Sequence, residues 1–342
     1  MLQRLPANPG PVCKQTVRTF GSCQQKCTTI MKNLINNCPS DYPVSIGDAI
    51  NRSLDQAERD QRPDFGIPSG FPSLDRLTNG WKPGELVVIG GRPCSCRTAL
   101  ALGMARNAAV EFGIPTAYLS HETPVLELTD RLIVSESGIP MEKLHGKYKM
   151  ENEDWQQMEA ALKKLSKAPL YLDDSARAVP DEYLMHELQK RLEYLVKEKG
   201  VKLVFIDSLQ ETIPGWAGYE SEQIAHHCRK NLHYFKLQAE SYGVTIVVLT
   251  LVDRIKRRKF AAPILRDLDG YCPFAEDYAD KILLLHRPVF WGIDPDYDGD
   301  GDEPLEAVLA LNRKGRTGRL DLLLNRERIC VTDPMDSDNT RT

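Results

Sequence analysis

The sequence predicts an α/β protein built on a mostly parallel, twisted sheet, and three observations carry that expectation. Compact apolar runs recur at 85–90, 115–120, 170–173, 202–207, 244–251 and 281–285, the pattern of strands buried on both faces. Helical stretches at 98–112, 151–166, 180–198 and 222–241 separate the earlier runs, and helical crossovers imply parallel pairing. Ala307–Leu311 and Arg319–Leu324, around Arg316-Thr317-Gly318, then read as a terminal β-hairpin.

Taken in order, residues 1–44 show no periodicity and read as a weakly ordered leader. It holds Cys13, Cys23, Cys27 and Cys38, and Arg4, Lys14, Arg18, Lys26 and Lys32 stand against Asp41 alone. The spacing predicts an amphipathic helix over residues 45–63, between the leader and the main domain. Ile46, Ala49, Ile50, Leu54 and Ala57 recur at helical spacing behind a capping-box-like Ser45 and Asp48, and Arg62-Pro63 ends it. A short helix of this kind must bury its apolar stripe, and a neighbouring subunit is the expected surface. The main domain spans 64–333, followed by a tail at 334–342.

Composition excludes several classes. With 42% apolar residues and a mean hydropathy of −0.38 over 342 residues, the chain is neither disordered nor fibrous. Its longest uncharged apolar stretch, Val244–Val252, is about half the ~20 residues a membrane span needs. Met1–Gly10 has no apolar core, so no secretion signal is expected. Nine cysteines, an odd count, point to free thiols in a reducing cytoplasm. The spacing of the first four matches no zinc pattern, and no zinc is expected. Asp294–Leu305 has Gly299 at the sixth position of a calcium loop but Leu305 at the twelfth, so calcium is not expected and a solvated acidic loop is. A net charge of −4 does not announce nucleic acid, although a local basic patch is compatible with it.

The first strand runs into Gly91-Arg92-Pro93-Cys94-Ser95-Cys96-Arg97-Thr98 and then a helix. Strand–loop–helix is the setting of a phosphate-binding loop, in which backbone N–H groups cradle phosphates, a lysine neutralises them and Ser or Thr holds Mg²⁺. Gly91 and Thr98 occupy the first and last fixed positions of G-x-x-x-x-G-K-[ST]; Cys96 replaces the second glycine and Arg97 the lysine. A Cβ at the glycine position obstructs backbone approach and disfavours a positive φ. A planar guanidinium does not replace a compact ammonium. The other reading is an ordinary strand-to-helix turn. Asp207, ending an apolar strand, suits a Mg²⁺-water ligand, and Glu122, after the second strand, suits polarisation of an attacking water. Taken singly, each is also readable as a solvated strand-end carboxylate.

The order of these motifs resembles the C-terminal motor domain of bacterial replicative helicases, the DnaB family, with a RecA-like P-loop NTPase core. Gly66–Asp75 is similar to the segment before the first strand, Gly91-Arg92-Pro93 to the start of the phosphate loop, and Ser120–Pro124 to the segment bearing the catalytic glutamate. Pro169–Asp174 and Ile206–Gln210 match the next two strands, and Ala310–Gly315 the segment presenting an arginine finger. The resemblance implies ATP and Mg²⁺ held by Gly91, Arg92, Pro93, Ser95, Arg97, Thr98 and Asp207, with Thr98 and Asp207 at the metal. It implies Glu122 as water-activating base and Arg313 as finger in trans. It also implies a homo-oligomeric, hexameric ring joined through the 45–61 helix, working on single-stranded DNA.

Departures are equally specific. Besides Cys96 and Arg97, the strand-end glutamine that senses the γ-phosphate is Leu251, and the lysine two positions before the finger is Leu311. The DNA-touching loop with its Arg-Glu-Ser-Gly core reads Asp267–Pro273. Arg254, Lys256, Arg257, Arg258 and Lys259 put five basic residues into six after the fifth strand; the run reads either as a contact to single-stranded DNA in a ring channel or as a solvated charged loop. Scaffold motifs persist while hydrolysis and DNA elements change. The expectation is a helicase-derived regulatory or assembly factor in DNA replication that binds nucleotide and single-stranded DNA with weakened or lost hydrolysis. Its partner is a replicative helicase or another replication protein. The alternatives are an active ATP-dependent DNA helicase with an atypical phosphate loop, and a recombinase- or clock-type RecA-fold ATPase, which the Asp173-Asp174 and Arg313 segments oppose.

Overall fold

The computed structural model describes residues 45–47, 50, 65–179, 183–213, 218, 221–253, 261–292 and 301–334. The leader, most of the linker helix, the basic run 254–259, most of the acidic loop and the tail from 335 onward lie outside them. The chain divides into two units, Met1–Glu58 and Arg59–Thr342. In the first, Ile46 and Ile50 are helical and 78% and 50% exposed.

The second unit carries a nine-stranded sheet among the described residues. Its strands are β1 (Leu86–Gly91), β2 (Thr116–Ser120), β3 (Leu170–Asp173), β4 (Leu203–Asp207), β5 (Thr245–Leu251), β6 (Lys281–His286), β7 (Glu303–Asn312), β8 (Gly318–Asn325) and β9 (Cys330–Thr332), in the order β3-β2-β4-β5-β1-β6-β7-β8-β9. The first six pair in parallel, and β7, β8 and β9 extend the sheet antiparallel beyond β6. The expected parallel sheet and C-terminal hairpin are both present; β9 is an addition that its three residues were too short to announce.

Helices cover both faces. They are α1 (Pro72–Thr78), α2 (Arg97–Arg106), α3 (Val125–Ser137), α4 (Met141–Leu144), α5 (Asn152–Leu165), α6 (Leu184–Lys199), α7 (Ser221–Tyr242) and α8 (Ala275–Tyr278). Successive strand residues point to opposite faces. Val87 and Ile89 therefore join a core with Leu100 and Met104 of α2, while Leu86 and Val88 join one with Leu192 of α6 and Phe235 of α7. That double coverage is why β1, β4 and β5 read as unbroken apolar runs.

The helix expected over 98–112 ends as α at Arg106 and continues as a π-turn, Asn107–Glu111. There the Asn107 amide donates to the Ser69 and Gly70 carbonyls at 3.4 and 3.3 Å, and a Cβ on Gly70 would stand 2.3 Å from it. Helix α3, unassigned by the sequence reading, begins after Pro124, where the Asp174 carboxylate accepts the Val125 N–H at 2.8 Å, and stops at left-handed Gly138. No helix among the described residues is long and apolar enough to cross a membrane.

Parallel register decides where chemistry is placed. Ser120 pairs with Asp207 and Gly91 with Leu251, so the carboxyl ends of β1, β2, β4 and β5 finish at one edge. In open α/β sheets that edge is where ligands bind.

Candidate functional site

The loop after β1 is a tight cradle. A Cβ on Gly91 would lie 2.1 Å from Ser95 Oγ and 3.1 Å from Ser95 Cβ and Arg97 Cγ, so a side chain there would have to displace the Ser95 hydroxyl from the loop. The Ser95 N–H donates to the Arg92 carbonyl at 3.1 Å. Cys94 and Cys96 both adopt left-handed backbone, each at φ 65°, and Cys96 is the N-cap of α2. The second glycine position of the motif is thus a positive-φ position occupied by an L-residue. Burial raises the Cys96 thiol to about 11, so it sits there as a neutral thiol. Among the described residues, Ser95 Oγ and Arg97 Nη1 are buried without a hydrogen-bond partner. Arg92 is buried, with its guanidinium carbon 5.8 Å from the Trp291 ring centroid, and Pro93 is half-buried beside it.

Thr98 and Asp207 meet across the site. Thr98 Oγ1 donates to Asp207 Oδ2 at 2.8 Å, and the same oxygen accepts the Tyr118 hydroxyl at 2.8 Å. Tyr118, stacked on Phe205 with ring centroids 5.7 Å apart, is fully buried. Burial raises the Asp207 carboxyl, the Tyr118 hydrogen bond opposes that, and the Glu122 charge adds to it. Burial lowers the Arg97 guanidinium, opposed by Asp207 and Glu122. Glu122 is exposed and accepts the Ser208 hydroxyl. The structure therefore brings Gly91, Ser95, Arg97, Thr98, Asp207 and Glu122 into one edge site. Neither Tyr118 nor Ser208 was assigned a role from the sequence: Tyr118 has no motif signal, Ser208 lies only within the matched Ile206–Gln210 segment, and the β2–β4 register brings both there.

Other assigned positions lie elsewhere. Arg313 is exposed and docked on its own chain, donating to the carbonyls of Ala279 at 2.8 Å, Asp277 at 3.1 Å and Glu276. Those are the last carbonyls of α8, where a cation is favourable. Leu251 leaves the end of β5 without its own polar side chain. Gln210 reaches that point from the loop after β4: its Nε2 donates to Thr250 Oγ1 at 2.7 Å and its Oε1 accepts the Leu251 N–H at 3.3 Å. The basic residues Arg254, Lys256, Arg257, Arg258 and Lys259 are outside the described residues.

His121 is also buried at this edge, and neither ring nitrogen has a hydrogen-bond partner among the described residues. Burial lowers its pKa from the ordinary 6.5 to about 4, against the pull of Asp173. Between those values the unfolded chain takes up a proton that the folded chain refuses, so stability falls as pH falls from about 6.5 towards 4. The expected loss is about 3 kcal/mol at ~1.4 kcal/mol per pKa unit. Urea midpoints at pH 7 and 4.5 should converge in His121→Leu relative to wild type; an equal fall in both proteins would remove this residue from the account.

A strand–loop–helix cradle at the carboxyl edge of a parallel sheet, with a hydroxyl–carboxylate pair beside it, defines the RecA-like class of P-loop domains. Within that class, the family described as DnaB-like helicase C-terminal domain matches residues 66–331, and the chain belongs to it. A replicative DNA helicase DnaB from Leifsonia xyli subsp. xyli is 31% identical over 281 residues, covering 81% of this chain and 58% of the relative. The chain thus spans little more than half the length of such relatives. A solved structure described as an ATPase domain superposes with a TM-score of 0.69 at 26% identity, over 85% of this chain and 99% of that one. A DnaB-like replicative helicase, studied with its interactions with primase, shares the fold at a TM-score of 0.69 and 24% identity, over 91% and 76% of the two chains.

Proposed function

We propose that this chain is a DnaB-type ring protein that binds nucleotide and single-stranded DNA with weakened or lost ATP hydrolysis, acting as a helicase-derived regulatory or assembly factor in DNA replication. The observation that carries the reading is the phosphate loop. Cys96 holds a left-handed glycine position, and half-buried Arg97 replaces the lysine with its buried Nη1 unpartnered among the described residues. The residues fit a Mg²⁺-nucleotide in kind. The Gly91 turn, the Ser95 hydroxyl and the Arg97 N–H are groups awaiting acceptor oxygens, and Thr98 with Asp207 would hold the metal. Bound Mg²⁺ would neutralise charge on the terminal phosphates. Glu122, steadied by Ser208, would take the proton of an attacking water.

The weakening follows from what surrounds that frame. Cys96 puts an L-residue at a left-handed position, Arg97 is drawn to Asp207 and Glu122, and Leu251 and Leu311 supply no polar contact. The second reading, an active helicase with an atypical loop, is favoured by the intact Thr98–Asp207 pair at 2.8 Å. Steady-state ATP hydrolysis with and without single-stranded DNA separates them: turnover in wild type that Asp207→Ala abolishes overturns the first reading.

Assembly is proposed through the 45–61 helix and Arg313, as a homo-hexamer in the cytoplasm. Arg254, Lys256, Arg257, Arg258 and Lys259 would contact single-stranded DNA in a salt-sensitive, sequence-independent way, and a replicative helicase or another replication protein would be the partner. The exposure of Ile46 and Ile50 supports the helix as a docking element. A chain shortened to begin at Phe65 is expected to elute as a monomer in gel filtration; an oligomer unchanged from the full chain would sink the linker-helix assignment.

A further inference from the structure

We propose that Arg287 is a positioning residue that clamps the phosphate loop, coupling its left-handed turns to the strand pair β6–β7. Arg287 directly follows β6. Its Nε and Nη2 grip the Glu303 carboxylate at 2.5 and 2.7 Å, and Glu303, the first residue of β7, is 1% exposed. That two-pronged bridge sets the plane of the guanidinium. The remaining prong, Nη1, donates to the Cys94 carbonyl at 3.3 Å. The Phe290 ring, its centroid 5.2 Å from the Arg287 guanidinium carbon, covers one face of the fork.

The clamp answers a problem of backbone conformation. Two non-glycine residues of the loop, Cys94 and Cys96, are held at φ 65°. L-residues persist there only where the surroundings over-determine the backbone. Arg287 grips the carbonyl of the first of them. A second tie runs the other way, from Arg92 within the loop to the Trp291 ring, 5.8 Å from guanidinium carbon to centroid. The segment 287–291 thus meets the loop at two points. A lysine at 287 cannot hold Glu303 with two parallel bonds and reach Cys94 as well.

The test is amide hydrogen exchange over residues 92–98 of the full chain without nucleotide, together with the affinity for a fluorescent ADP analogue. In Arg287→Ala the Ser95 amide is expected to exchange roughly tenfold faster, and analogue affinity to fall roughly tenfold, the scale of one lost bond from a charged donor. Arg287→Lys, which keeps the charge, is expected to loosen the loop in the same direction and serves if the alanine variant fails to fold. Unchanged exchange in a folded variant overturns the clamp, as does faster exchange with wild-type affinity. The second readout rests on the nucleotide-binding reading. If wild type binds no analogue, that reading fails, while the exchange rates still decide the clamp.

Discussion

Changing Cys96 to glycine and Arg97 to lysine together is expected to raise ATP turnover by about two orders of magnitude, the scale on which single phosphate-facing donors act. Glycine at 96 relieves a left-handed L-residue, worth about 1 kcal/mol of backbone strain. Lysine at 97 gives the terminal phosphates a compact ammonium in place of a fork drawn to Asp207 and Glu122. The gain requires Thr98, Asp207 and Glu122 to stand ready, as they do at the strand ends. Adding Asp207→Ala to the repaired protein should return turnover to background. A repaired protein no faster than wild type would mean that the loop is not the lesion, leaving Leu251 and Leu311 to account for any deficit.

Glu85→Ala is expected to cost about 3–5 kcal/mol of folding stability, the penalty for stranding a buried charge. Glu85 and Lys281 form an ion pair in which the side chains are 4% and 2% exposed. Lys281 also lies 5.8 Å from the Trp81 ring centroid, and Glu85 accepts the Lys82 N–H at 2.9 Å. Burial lowers the Lys281 ammonium and Glu85 holds it charged. Without Glu85 the buried ammonium at the amino ends of β1 and β6 loses its hydrogen-bonded counter-ion and keeps only the longer-range charge of Asp280. The double variant Glu85→Ala/Lys281→Met should regain most of the loss, because no charge then remains buried. Urea unfolding of the three proteins decides it: a single-variant loss below about 1 kcal/mol, the range of exposed pairs, would place the bridge in water.

The strands of the parallel core were legible within a residue or two because burial on both faces leaves no polar position to blur a run such as Leu203–Asp207. Turns with a chemical requirement were legible too: Gly91 begins the loop, and position 96 carries the positive φ that its motif demands. Helix α3 was not, since its start depends on Asp174, a carboxylate beyond the next strand that accepts the Val125 N–H. The Asp207 site was half legible. Thr98 and Asp207 belong to a motif, whereas Tyr118 reaches the same oxygen only because β2 lies beside β4.

What the sequence determined by itself is therefore the class, the strand ends and the identity of the loop, since each rests on local periodicity or on residues close in the chain. Only the tertiary structure decided which groups share an oxygen, a carbonyl or a buried charge. Arg287 at Cys94 and Arg313 on the last carbonyls of α8 are set by packing between distant segments. Hydrogen bonds and ion pairs act over a few ångströms of space, and separation along the chain carries no record of that distance.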